Sequence, residues 1–158
     1  MNAAMKRKLK ITGGLLFALL GAIQFVQPAR NTAAGPGPDD INVKHPVPPP
    51  VLSLLQGACY DCHSNNTVYP WYARVQPVGW WLARHVQDGR RHLDFSAFGT
   101  YPPKRAASKL NDLVNELEQH SMPLPSYTWM HPAARLTPAQ VKLITDWAEG
   151  LEDEISPP

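Results

Sequence analysis

The sequence has few cysteines, no recognisable strand pairs and no internal repeat. Only two of its 158 residues are cysteine, Cys59 and Cys62. Because there is no second cysteine pair, a zinc site built from four cysteines is excluded. Apolar and polar residues do not alternate in paired segments, as they do in half-buried strands, so no β-sheet is expected. What remains is a helical chain without repeated units.

Basic charge is also scarce once residues 1–30, the leader, are set aside. The whole chain carries 15 Lys and Arg against 13 Asp and Glu. Five of the basic residues lie in the leader, namely Lys6, Arg7, Lys8, Lys10 and Arg30. The rest of the chain therefore has 10 basic and 13 acidic residues. A weakly acidic domain of this kind is not expected to bind nucleic acid.

The leader has the layout of a membrane anchor or a signal peptide. Four basic residues, from Lys6 to Lys10, precede an apolar run over residues 11–26 that is interrupted only by Gln24. The run is slightly short for a membrane-spanning helix, which needs about 20 apolar residues. Small residues suited to cleavage occur only beyond the run, at 31–34. We therefore predict an uncleaved anchor with its basic end in the cytoplasm.

The rest of the chain divides into a spacer and one domain. Residues 31–50 are rich in proline, which predicts a semi-extended tether. Residues 51–158 are long enough for one small core. Apolar spacing predicts helices over 78–93 and 104–119, and the capping-box sequence Thr137-Pro138-Ala139-Gln140 marks the start of a third. The prediction is an all-α, small cytochrome c-like domain behind an apolar anchor helix, with a loop over 121–136.

The segment Cys59-Tyr60-Asp61-Cys62-His63 carries the clearest chemistry. Cys-x-x-Cys-His is the attachment signature of a c-type haem. Two thiols at this spacing can add to the two vinyl groups of one haem, and the adjacent His63 can then bind the iron. The sequence therefore predicts one covalent haem c per chain, with its iron bound by His63.

Two other uses of the cysteine pair stay open. A Cys-x-x-Cys motif can form a redox disulfide on a thioredoxin-like fold, which requires a strand before the motif and a helix after it. Here a proline-rich stretch, residues 46–50, precedes it instead. The pair could also form half of a zinc site completed by histidines.

The second axial ligand decides between electron transfer and ligand chemistry at the iron. Outside the leader, the methionines are Met122 and Met130. Met122 follows a predicted helix and precedes Pro123, which restricts the backbone, so Met122 is the favoured distal ligand. Met130 is better suited to packing. The rival is His85, which lies beside the apolar stripe of the 78–93 helix and could equally be a structural histidine.

Several separated segments give the chain a family resemblance. They are Cys59–Asn65, Tyr69–Tyr72, Pro77-Val78, Trp80–Leu82, His85-Val86, Gly89-Arg90, Leu93, Phe95-Ser96, Met122-Pro123, Tyr127, His131-Pro132, Ala134, Leu136 and Asp146-Trp147. In this order they resemble the haem-binding domain family of bacterial c-type cytochromes over roughly residues 51–150. Gln24-Phe25, Pro28 and Arg30-Asn31 resemble the anchor of that family. One departure is Leu124, where a second proline is expected after Met122-Pro123.

The resemblance implies a monohaem c-type domain that uses Cys59 and Cys62 for attachment, His63 as proximal ligand and Met122 as distal ligand. The predicted function is a membrane-tethered cytochrome that transfers single electrons in the periplasm, held at the bacterial inner membrane by the leader. It would act on redox partner proteins and would not itself be an enzyme. The alternatives are a haem sensor or peroxidase-like protein with an open distal site, or a haem-free thiol–disulfide protein.

Overall fold

The computed structural model describes residues 2–156, and within that range it contains helices and loops but no β-strand. The α-helices are α1 (Ala3–Ile23), α2 (Ile41–Lys44), α3 (Pro49–Ala58), α4 (Tyr60–His63), α5 (Val78–His92), α6 (Pro103–Glu118), α7 (Pro125–Met130) and α8 (Pro138–Ile155). Short 3-10 helices cover Trp71–Arg74, Phe95–Thr100 and Pro132–Ala134. The prediction of an all-α fold is confirmed.

The chain divides into two units. Unit 1 consists of the residues up to Arg30 together with Tyr69–His85, and unit 2 consists of Asn31–Val68 and the residues from Val86 onwards. Helix α5 contributes its first half to unit 1 and its second half to unit 2. All five residues of the cysteine motif belong to unit 2.

The core of unit 2 forms where α6 and α8 pack along each other. Both helices bury one apolar stripe, as their sequence spacing predicts. Helix α8 begins with the predicted capping box, in which Thr137 and Gln140 cap each other's backbone amides. Helix α3 packs against α8. The buried apolar core comprises Ile41, Val47, Val51, Leu55, Leu93, Phe95, Phe98, Ala106, Leu110, Val114, Leu117, Ile144, Ala148 and Leu151.

Residues 31–50 differ from the semi-extended tether that their prolines suggested. Ile41 and Val47 are buried in the core of unit 2, and the amide of Gly99 donates to the carbonyl of Asp39 at 2.8 Å. Asp40 caps the short helix α2 by accepting from the amide of Asn42. Pro49 and Pro50 lie in the first turn of α3, where a missing N–H costs nothing.

The segment 121–136, expected to be a loop, contains α7 and a 3-10 helix. Pro125 occupies one of the first positions of α7, and Pro132 has the same role in the 3-10 helix that follows. Proline is compatible with these positions because its fixed φ suits the first turn of a helix. Pro125 and Pro132 therefore mark helix starts.

Unit 1 joins the end of α1 to the segment that leads into α5. No residue of α1 itself is buried. Beyond its end, Gln24 pairs with Gln76, because the Gln24 side chain donates to the Gln76 carbonyl and accepts from the Gln76 amide. Among residues 2–156, no helix combines the length and the apolar character that crossing a bilayer requires.

Replacement of Ile41 tests whether residues 31–50 belong to the core. Ile41→Ala removes a fully buried side chain and should lower the free energy of unfolding by about 2–5 kcal/mol. Val43 lies on the same short helix but is 52% exposed, so Val43→Ala should change it by less than about 0.5 kcal/mol. Urea unfolding followed by circular dichroism measures both variants. Equal urea midpoints for the two variants would contradict the burial of Ile41 in the core.

Candidate functional site

The cysteine motif forms a single helical turn. The amide of Cys59 closes α3 by donating to the Leu55 carbonyl at 2.9 Å. The amides of Cys62 and His63 then donate to the Cys59 carbonyl at 3.1 and 3.0 Å. Residues three and four positions apart share one face of a helix. Cys59 therefore shares one face of the turn with Cys62 and another with His63, so the three predicted haem-binding groups are gathered in a single turn.

The ring of His63 is held by a backbone carbonyl. Its Nδ1 lies 2.9 Å from the carbonyl oxygen of Leu93. Because a carbonyl can only accept, Nδ1 carries the proton, and the lone pair of the ring is on Nε2. Burial lowers the pKa of His63 and outweighs the raising effect of this hydrogen bond. A neutral imidazole with Nδ1 engaged in this way is the usual form of a histidine that binds iron through Nε2.

The two thiols lie in surroundings that disfavour their charged forms. Burial, and to a lesser extent the neighbouring Cys62, raises the pKa of the Cys59 thiol to about 12. Burial and the nearby Asp61 raise the pKa of Cys62 to about 11. Reactive cysteines of thiol oxidoreductases have lowered pKa values instead. Uncharged sulfur, whether thiol or thioether, suits this environment best.

Helix α5 approaches the motif closely at Gly89. A Cβ atom at this position would lie 2.5 Å from the carbonyl oxygen of Cys62 and 3.1 Å from its Cβ. Distances this short are not tolerated between such atoms, so a residue without a side chain is required here. The contact fixes the second cysteine against the half of α5 that lies in unit 2.

The residues after the motif fold back onto it. Ser64 is fully buried, and its hydroxyl donates to the Tyr60 carbonyl at 2.8 Å. Thr67 donates to the Asp61 carbonyl at 2.7 Å. The side chain of Asn31 donates to the Ser64 carbonyl at 2.7 Å. These bonds hold both the end of the turn and the chain that leaves it.

Asp61, the variable residue before the second cysteine, connects the motif to α7. One of its carboxylate oxygens accepts from the amide of Val68 at 2.8 Å. The other accepts from the hydroxyl of Tyr127 at 2.8 Å. Burial, followed by this hydrogen bond, raises the pKa of Tyr127, so its hydroxyl stays protonated and can donate. Tyr127 therefore ties α7 to the cysteine motif across 66 positions of sequence.

Met122, the predicted distal ligand, lies in the turn between α6 and α7. His120 adopts a left-handed conformation with φ 56°, which ends α6. The amides of Ser121 and Met122 then reach back to the carbonyl of Glu116 at 3.0 and 3.2 Å, as at many helix ends. The Met122–Pro123 peptide bond is cis. Met122 is half-buried and lies five residues before Tyr127, which binds the motif.

The other candidate ligands make contacts of their own. His85 belongs to unit 1, where its ring lies 4.2 Å from that of Trp81 and its Nδ1 lies 3.2 Å from the Trp81 carbonyl. His131, which the sequence did not indicate as a ligand, stacks on Tyr127 with 4.3 Å between the ring centroids. Met130 is exposed.

Reasoning from the sequence missed the supporting roles of Asp61, Gly89 and Leu93. A supporting role for Asp61 could have been suspected, because it is a charged residue inside the motif. A close approach at Gly89 could also have been suspected, because a glycine within an otherwise apolar helical stripe often has a packing reason. Leu93 acts through its backbone carbonyl, which no side-chain pattern reports.

Residues 18–150 match the haem-binding domain family. Since this range covers most of the 158 residues, the chain belongs to that family, as its motifs predicted. The family match supports haem binding by this chain. The chain has no significant match among curated proteins or solved structures.

Replacement of Gly89 tests the close approach to Cys62. An alanine in a helix interior is normally more stable than glycine by about 0.5–1 kcal/mol. At Gly89 the clash should reverse the sign and destabilise by about 1–3 kcal/mol, with fewer haem groups bound per chain. Gly150→Ala, on α8 with no atom within 4 Å of the new Cβ, is the matched control and should be neutral or stabilising.

Both variants are compared by unfolding free energy and by haem absorbance per mole of protein. A Gly89→Ala protein as stable and as fully loaded as Gly150→Ala would contradict the role given to Gly89.

Proposed function

We propose that this chain is a membrane-tethered monohaem c-type cytochrome that carries one electron at a time in the bacterial periplasm. The single observation that supports it most is the helical turn in which the amides of Cys62 and His63 both donate to the Cys59 carbonyl, which gathers both thiols and the imidazole in one turn. Membership of a haem-binding family makes haem the cofactor. The arrangement of the three side chains is what favours covalent attachment of one haem per chain.

The residues present fit such a haem. Cys59 and Cys62 would hold it through thioether bonds, which are uncharged and therefore agree with the burial that penalises thiolates here. His63 would bind the iron through Nε2 while Leu93 holds the opposite nitrogen of the ring. Bound haem supplies a metal that cycles between two oxidation states one electron apart. The protein's part is to orient the imidazole, exclude water and anchor the macrocycle.

The raised thiol pKa values argue against thiol–disulfide chemistry as the main activity. Exchange requires a thiolate as the attacking group. With pKa values of about 12 for Cys59 and about 11 for Cys62, almost no thiolate is present at neutral pH.

Met122 is proposed as the distal ligand. A thioether bound to the iron would raise the reduction potential and keep oxygen and peroxide from the metal, which suits electron transfer. Support comes from the position of Met122 in the turn that precedes α7, whose Tyr127 binds Asp61 of the motif. The protein would therefore be a carrier that serves redox partner proteins, not an enzyme.

The proposed membrane tether and the proposed periplasmic location are both inferred from α1. Its first turns carry the basic residues between Lys6 and Lys10, and large apolar side chains farther along are exposed, with Phe17 at 80% and Leu15 at 67%. No protein group in the described chain covers these side chains, whereas the lipid of a bilayer would cover them. By the positive-inside rule the basic end stays in the cytoplasm, and the haem-binding part is exported.

Loss of both thiols should abolish attachment. Cys59→Ala combined with Cys62→Ala, expressed with haem-attachment machinery, should give protein without covalent haem, judged by haem staining after denaturing electrophoresis and by the reduced c-type absorption bands. Ser53→Ala, on the exposed side of α3, is the control and should be fully loaded. Covalent haem in the double variant would overturn the attachment proposal.

Loss of the Met122 thioether should leave the haem attached but open its distal side. Met122→Ala should lose the weak far-red band of sulfur–iron ligation in the oxidised spectrum, bind carbon monoxide when reduced, and have a lower potential. Met130→Ala should behave like the unaltered protein. If the unaltered protein itself binds carbon monoxide readily and lacks that band, the distal site is open, and the sensor or peroxidase-like function replaces electron transfer.

A further inference from the structure

Charge is divided unevenly between the two units. All 13 acidic residues of the chain lie in unit 2. The charged side chains of unit 1 are basic without exception, and outside α1 they are Arg30, Arg74 and Arg84. Unit 1 is therefore complementary to an anionic surface, whereas unit 2 is not.

Unit 1 also exposes large aromatic and apolar side chains. Trp71 is 79% exposed, Trp81 47% and Trp80 37%. Phe25 and Val26, just beyond α1, are exposed as well. Indole rings combine an apolar body with a polar N–H and concentrate where a surface is apolar on one side and wet on the other.

The segments that carry these tryptophans are bonded to the end of α1. The indole N–H of Trp80 donates to the Val26 carbonyl at 2.8 Å. The side chain of Gln27 donates to the carbonyl of Arg74, the last residue of the 3-10 helix that begins at Trp71. Together with the Gln24–Gln76 pair, these bonds keep the tryptophans of unit 1 within a short distance of the point where the apolar helix ends.

We infer that unit 1 docks on the lipid headgroups of the bilayer, with Trp71 and Trp81 inserted at the lipid–water boundary and Arg30, Arg74 and Arg84 facing anionic phosphates. This inference rests on the proposed membrane tether. It adds a second contact with the bilayer, made by residues 69–85, which are distant from the leader in sequence. Residues 24–27, just beyond α1, are part of this contact surface because their carbonyls and side chains hold residues 74–80.

A photoactivatable phosphatidylglycerol, reactive near its headgroup, tests the docking. The full-length, haem-loaded protein is reconstituted in vesicles that contain this lipid, and mass spectrometry maps the cross-linked residues. Cross-links should occur on α1 and also within residues 69–85. Trp71→Ser combined with Trp81→Ser should reduce cross-linking within 69–85 severalfold, because both indoles are removed from the boundary. The haem spectrum of each variant verifies folding.

Trp129→Ser is the matched control. Trp129 is 75% exposed, as exposed as Trp71, but belongs to unit 2, so its loss should leave cross-linking within 69–85 unchanged. Cross-links on α1 alone would overturn the docking and leave the tether standing. Cross-links on neither segment would overturn both. Cross-links within 69–85 that survive the double substitution would overturn the role of the tryptophans.

Discussion

The hydrogen bond between His63 Nδ1 and the Leu93 carbonyl is the interaction on which the proposed site depends. It selects the tautomer, leaves the free lone pair of the ring on Nε2, and joins the motif to the residue that follows α5. Gly89 acts one turn earlier on the same helix, where the absence of a side chain admits Cys62. The motif supplies the reactive groups, and α5 supplies the surface that orients them.

Asp61 and Tyr127 extend this support to α7 and to the turn that contains Met122, the proposed distal ligand. The chemistry of haem attachment does not restrict which residues occupy the two variable positions of the motif, since it needs only the cysteines and the histidine. In this chain one of them is used to bind α7 and the chain that leaves the motif. The turn that contains Met122 is therefore attached at one end to α6 and at the other, through α7, to the residue beside Cys62.

Local patterns predicted α5, α6 and α8, the cap at Thr137 and the four haem-binding candidates, because these depend on spacing within a few residues. They did not predict α2, which is only four residues long. They also did not predict α7, since a proline such as Pro125 is equally compatible with a loop and with the first turn of a helix. The roles of Leu93, Gly89 and Asp61 depend on contacts between distant parts of the chain. Such contacts leave no periodic trace in the sequence, and only the folded structure brings them together.

The residues that hold the motif in place come well after it in the sequence. Leu93 follows His63 by 30 positions and Tyr127 follows Asp61 by 66. In the proposed export from the amino end, the cysteines would therefore cross the membrane before Leu93 and Tyr127, which hold the motif in the folded chain. Thiols become poor nucleophiles once burial has raised their pKa values. Under the proposed function, an exported chain that received its haem early would present accessible, ionisable sulfur, and the later arrival of α5 and α7 would close the protein around the finished thioether bonds.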